Sequence, residues 1–401
     1  MMAVVALTLF SPIRGLDNGA NYRRLVLRQF CRLYFNPVPD DTTLLRWAKL
    51  IRPATLAQFN ARITHLATDL KVTHGHKLRT DGTVVETNIH PPSDSRQLAD
   101  SVRVLARTLT KADALLSGVA DGVRATGQQA NQCARKWARH IGEIRRQRSA
   151  TAQAAGRAAY KRLLELTQTT IRQAEQVVPV LQQQASAQAD QLVATLQTFV
   201  PRAQQVIDQT VRRVLQDEKV PAGDKIVSIF EPHTDIIKRG KENQPVEYGH
   251  KVWLNEVDGG IVSHYRVLAG NPGASEQWTP SLQQHRDQFG AGPEQASADR
   301  GVYSAANEAA AHRLGVKRII LPQPGYRSAQ RQQHEHQPWF TEGRQWHAGV
   351  EGRISVLKRC HGLNRCLDHG QPGFECWIGW GVISANLLII GRTVAARETP
   401  C

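Results

Sequence analysis

Residues 77–90 read KLRTDGTVVETNIH, a run of Thr, Val and Ile with partial alternation that separates two helix-patterned regions. β-Branched side chains at alternating positions suit a pleated, half-buried surface, so the spacing predicts a strand pair or one bent strand. Pro91 and Pro92 end it, because proline cannot donate to a ladder. Before this stretch, Leu25, Leu27, Phe30 and Leu33, then Leu44, Leu45, Trp47 and Leu50, recur at helical spacing. PVPDD at 37–41 breaks that pattern, and Asp40 or Asp41 is placed to cap a helix starting at Thr42.

After the prolines, residues 95–219 are rich in Ala, Gln and Arg and nearly free of aromatic residues. Leu163, Leu166, Ile171, Ala174, Val178 and Leu181 keep helical period, as do Leu192, Leu196, Val206, Val211 and Val214. Pro179, Pro201 and Pro221 are expected to kink or end helices. This reads as a basic helical hairpin or bundle, or a coiled-coil arm. Strand chemistry returns in KIVSIF (225–230), EYGHKVWLNEV (247–257) and GIVSHYRVLAG (260–270), the last two joined by a hairpin at Asp258-Gly259. A helix around 275–289, a strand ending at Asp299, a helix over 304–314, the strand VKRIILP (316–322) and a helical region from about 340 complete the chain. The order implies a mixed α/β fold: a sheet flanked by helices and interrupted after its first strand by a long helical insertion. The boundaries are an N-terminal helical region (1–75), first strands (76–94), the insertion (95–221) and the rest of the sheet domain (222–395).

Charge narrows the partner. Lys and Arg number 51 against 35 Asp and Glu, a net +16. Such an excess suits a polyanion, most simply nucleic acid, because neutralising phosphates releases counterions. Between 101 and 220 there are 18 basic and 9 acidic residues; over Lys317–Arg365 the counts are nine and three. The six cysteines contain no CxxC pair, which fits free thiols in a reducing compartment. Cys360, His361, Cys366, His369 and Cys376 crowd together, but at spacings that match no common zinc finger. The opening MMAVVALTLFSP lacks a basic leader and a cleavage site, so a signal peptide is not expected. The apolar stretch Trp377–Ile390, interrupted by Ser384 and Asn386, reads as a buried helix too short to span a bilayer.

Three acids then stand out by their surroundings: Asp81 in the opening stretch, Asp299 in QASADRGVYSAANEAA (295–310) and Glu351 in WHAGVEGRISVLKR (346–359). They lie 218 and 52 residues apart. Carboxylates on separate elements can converge to hold divalent metal and support in-line phosphoryl transfer. Taken singly, each reads as a turn residue or half of an exposed ion pair. Lys358 lies seven residues, or two helical turns, beyond Glu351 and shares its face.

The phrases at 81–105, 228–254, 298–316 and 350–366 resemble, in that order, DDE transposases of bacterial insertion sequences, nearest to the group known as ISNCY. The resemblance spans roughly residues 20–395 and implies an RNase H-like catalytic domain. It implies that Asp81, Asp299 and Glu351 bind Mg²⁺ or Mn²⁺ and cut and join DNA strands. His347, Arg353, Lys358 and Arg359 would contact DNA. Related enzymes carry a Tyr-Arg-Glu-Lys signature around the last acid. Here Glu351 and Lys358 match it, while Arg344 stands at the tyrosine place and His347 at the arginine place. Glu231 stands where relatives show Asp and is given no catalytic role, and Glu86 and Asp94 are weaker candidates. The implied setting is bacterial cytoplasm, at the nucleoid. The implied partner is double-stranded DNA, both element ends and target, with no membrane and a homodimer as the active form. The alternatives are a non-catalytic basic DNA-binding protein and an RNase H-like nuclease that never joins strands.

Overall fold

The computed structural model describes residues 41–116, 121–147, 149–184, 186–238 and 246–398. Over these the chain is mixed α/β, with 11 α-helices and one six-stranded open sheet. It divides into two compact units, one running to Asn88 and resuming at Ile237, the other spanning Ile89–Ile236.

The first unit is built on β1 (Lys77–Glu86), a single strand rather than a pair. The Asp-Gly step inside it does not turn, because every residue from Leu78 to Glu86 is matched antiparallel to β3 (Val246–Val257). β3 pairs antiparallel with β4 (Val262–Leu268) through a tight connection in which Gly259 and Gly260 take φ of +76° and +80°. A side chain disfavours that left-handed backbone. On its other edge β1 pairs in parallel with β5 (Gln295–Ser297), which pairs in parallel with β6 (Arg318–Ile320). A short strand β2 (Asp235–Lys238) lies beside β3.

Helices α1 (Asp41–Leu50) and α2 (Pro53–Asp69) precede β1. α1 starts one residue before the expected Thr42. Asp40 and the Leu25–Leu33 pattern lie outside the described residues, as does the opening segment. The remaining helices of this unit, in chain order among its strands, are labelled after those of the insertion: α7 (Trp278–Phe289), α8 (Ala305–Arg313), α9 (Ala329–Glu335), α10 (Pro338–Cys360) and α11 (Gly370–Glu398). One core joins Leu56, Leu78, Trp253, Trp278, Leu282 and Ile383; a second joins Val85, Leu254, Leu357, Phe374 and Ile378.

α11 revises one expectation. At 29 residues it is long and apolar enough to cross a membrane by length and composition, although 56% of its most apolar window is buried within the protein. Its Asn386 explains the burial. The amide accepts from Val262 N at 2.9 Å and donates to Asn60 Oδ1 and Val262 O, both at 2.9 Å. A helix tied in this way to α2 and β4 is part of the core.

The second unit comprises α3 (Asp94–Leu115), α4 (Asp121–Ile144), α5 (Ala150–Gln182) and α6 (Ala187–Thr210). Serine hydroxyls of Ser93, Ser149 and Ser186 cap the starts of α3, α5 and α6 by accepting from backbone N–H groups one turn on. Leu98, Leu105, Leu163, Ile171, Leu196 and Val206 form its core. Pro201 does not end α6, which continues to Thr210 and then widens into a π-helical turn over Val211–Leu215. KIVSIF is not a strand. Ile226 and Ile229 drop into the bundle core, and Ile226 N donates to Gln209 Oε1 at 2.9 Å instead of to a neighbouring strand.

Candidate functional site

Strand register explains how two of the acids meet. In the parallel pair β1/β5, Arg79 stands opposite Ser297. Asp81 and Asp299 each lie two residues further on, at the same step past the last paired residues of neighbouring chains that run the same way. Open α/β sheets bind ligands beyond the carboxyl ends of such parallel strands. Asp81 is half-buried, and its Oδ1 accepts from Gly82 N at 2.6 Å. Gly82 is fitted to this position, since a Cβ there would stand 3.0 Å from the Trp253 ring and 3.1 Å from the Lys251 side chain. Asp299 lies two residues past the end of β5, where a 3₁₀ turn over Arg300–Val302 begins, and its side chain is 70% exposed.

Glu351 comes from α10, which packs across β1, β5 and β6. Phe340, Gly343, Val350 and Leu357 form its buried side. Gly343 permits close approach, because a Cβ there would fall 2.5 Å from Ile320 Cγ1. Seating Val350 on the sheet carries the next residue, Glu351, to the rim. The outcome is one pocket of about 200 Å³ whose walls include Asp81, Asp299 and Glu351, with Arg300, Arg344 and His347 among the same lining residues. Its apolar side is Ala298, Ile320, Pro322 and Val350.

His347 is mostly buried, with 12% of its side chain exposed. Its Nδ1 lies 3.2 Å from Ser297 Oγ and its Nε2 3.2 Å from Asp299 Oδ1. The His347 hydrogen bond, helped by the charge of Arg300, holds the Asp299 carboxyl below the usual carboxylate range. Of the other expected DNA contacts, Arg359 is exposed and Lys358 half-buried. Arg353 is turned inward, with Nε 3.3 Å from Glu256 Oε1.

That inward arginine belongs to a network the sequence did not announce. Glu256, 1% exposed on β3, accepts from Arg79 Nε at 2.9 Å and Arg79 Nη2 at 2.7 Å, as well as from Arg353. Arg79 also donates to Trp346 O and lies over the Trp346 ring, 4.7 Å from its centroid. Arg79 is two residues before Asp81, and Arg353 two after Glu351. One buried carboxylate therefore clamps the acid-bearing helix to the acid-bearing strand. The signal in the sequence is Glu256 near the largely apolar end of β3, WLNEV. Among the weaker acids, Glu86 pairs with Arg365 at 2.7 Å and Asp94 with Arg213, while Glu231 is buried and lies 2.8 Å from His233 Nε2.

Carboxylate oxygens are the donors that hard cations such as Mg²⁺ and Mn²⁺ take, and three stand on the walls of one pocket. Among the described residues, no three His, Cys, Asp or Glu side chains are gathered closely enough to hold a metal ion, the Asp81, Asp299 and Glu351 trio and the Cys360–Cys376 cluster included. No known family model matches the chain, and no characterised protein or solved structure matches it.

Proposed function

We propose that this chain is a DDE-type transposase, cutting and joining DNA strands at Asp81, Asp299 and Glu351. The observation that carries the reading is the shared pocket: acids 218 and 52 residues apart in sequence, on a strand, on the turn after another strand and on a helix, line the same walls. The strand order supports an RNase H-like domain, with β4, β3 and β1 antiparallel and β5 and β6 continuing parallel to β1. The three carboxylates are the residues that would hold Mg²⁺ or Mn²⁺, which when bound supplies a nucleophile at neutral pH and stabilises the leaving oxygen.

The chain's own residues do the rest. Arg300 and Arg344, on the pocket wall, offer planar forks to phosphate oxygens. The segment Arg135–Arg162, across α4 and α5, holds nine Lys and Arg and a single acid, Glu143, and would grip the double-stranded backbone. On the resemblance, the enzyme works as a homodimer on element ends and target DNA in the bacterial cytoplasm.

Asp299→Asn separates this reading from that of a non-catalytic DNA-binding protein. Duplex affinity in a mobility-shift assay should stay within about twofold, while Mg²⁺-dependent cleavage falls by roughly 10³-fold, as losing several kcal/mol of charge stabilisation requires. Undiminished cleavage in this variant would remove the assignment. Joining of paired element ends to a target plasmid distinguishes a transposase from a nuclease that only cuts.

A further inference from the structure

We infer that His347 is a positioning residue: with Ser297 it forms a relay that fixes the Asp299 carboxylate in the orientation needed to ligate a divalent cation. The inference rests on the metal-site reading above and adds to it a residue with a role distinct from phosphate contact.

The geometry carries it. Asp299 needs external support, because it lies beyond the end of β5 on a short turn with most of its side chain in solvent. A carboxylate so placed samples several rotamers unless something holds it. His347 reaches it from α10, a different element, and is itself held at both nitrogens. A ring accepting at Nδ1 from the Ser297 hydroxyl and donating from Nε2 to Asp299 Oδ1 satisfies both contacts. Ser297 is fully buried, at 0% exposure, on β5. The ring thus takes its aim from the sheet itself. Only one Asp299 oxygen is engaged by His347, which leaves the other for the pocket. Carboxylates that bind metals are regularly oriented by such outer hydrogen bonds, and removing one costs about 10- to 100-fold in metal affinity. Arg79 and Trp346 add a second restraint: the Trp346 carbonyl, one residue before His347, is bonded to Arg79 of β1.

The test uses the full chain and Mn²⁺ alone, followed by isothermal titration and by the Mn²⁺ electron paramagnetic resonance signal, without DNA. His347→Ala should weaken Mn²⁺ binding about 10- to 100-fold. Ser297→Ala should weaken it less, since the ring keeps its bond to Asp299. His347→Gln, whose amide can donate near the Nε2 position, should recover part of the loss. Near-UV circular dichroism checks that each variant is folded. Wild-type Mn²⁺ affinity in a folded His347→Ala protein overturns the relay and leaves the metal site standing. Failure of wild type to bind Mn²⁺, or unaltered binding in Asp81→Asn, overturns the metal site and the relay with it. A metal-free readout separates the two. In the ¹⁵N spectrum of the side chains, Asp299→Asn should shift the His347 ring nitrogens, and their insensitivity to that change would count against the relay alone.

Discussion

Glu256 shows how much one buried side chain organises. It is nearly inaccessible, yet it accepts from two arginines that themselves sit 11% and 19% exposed. Removing one partner of a buried ion pair costs about 3–5 kcal/mol, because the charge left behind is uncompensated. Glu256→Gln is therefore expected to destabilise the protein by on the order of 3–5 kcal/mol in urea denaturation. Replacing Arg79, Glu256 and Arg353 together by Met, Leu and Met should cost less than that single change, since no orphaned charge remains. A Glu256→Gln protein as stable as wild type would mean that the clamp contributes nothing. Single residues also set what could be read in advance. The phrases around Asp81, Asp299 and Glu351 single these acids out, and all three line one pocket. The Glu256 clamp was not legible in the sequence, because its members are brought together by the β1/β3 register and by the seating of α10. Neither is written in local spacing.

At the level of elements, the helical period of the insertion was legible because its apolar stripe is the face that fills the bundle core, whereas β3 is buried at every position from Val252 to Val257 and not at alternate ones. KIVSIF was misread for a physical reason. β-Branched residues favour a pleated surface only when a partner strand is present, and here Ile226 and Ile229 fill the bundle core instead. The apolar stretch Trp377–Ile390 is only the middle of α11, which extends from Gly370 to Glu398. Its Asn386 gives an element-scale prediction. Asn386→Leu raises the hydropathy of the helix but leaves Val262 N–H and Asn60 without their partner inside the core. An unsatisfied buried polar group costs about 1–3 kcal/mol, so the variant should lose about 2–4 kcal/mol. Thermal melting of the purified variant measures this, and a melting temperature at or above wild type would refute the account of α11 as a tethered core helix.

For the molecule as a whole, acid is the informative stress. His264 on β4 and His285 on α7 belong to the sheet-bearing unit, and burial pushes both down to about 4 from the ordinary histidine value. A base whose folded pKa is depressed stays neutral in the folded chain while the unfolded chain takes up protons. Stability is full above the ordinary value near 6.5 and declines as pH falls toward about 4. Each histidine then contributes a loss on the order of 3 kcal/mol across that window. Urea midpoints measured from pH 7 to 4 should fall, and His285→Phe should flatten part of the slope; an unchanged slope would show that His285 does not titrate this way. The insertion point carries a different consequence, one of timing. β1 leaves the ribosome early, but Gly249, the partner of Glu86, follows 163 residues later. The intervening bundle, although its first helix packs against its last, closes shorter loops than this one, and pairing across so long a loop is slow. Through that interval Val84 and Val85 have no strand to lie against. Nascent chains are then open to mispairing with one another, so the yield of active protein is set as much by synthesis rate and chaperone supply as by the stability of the finished fold.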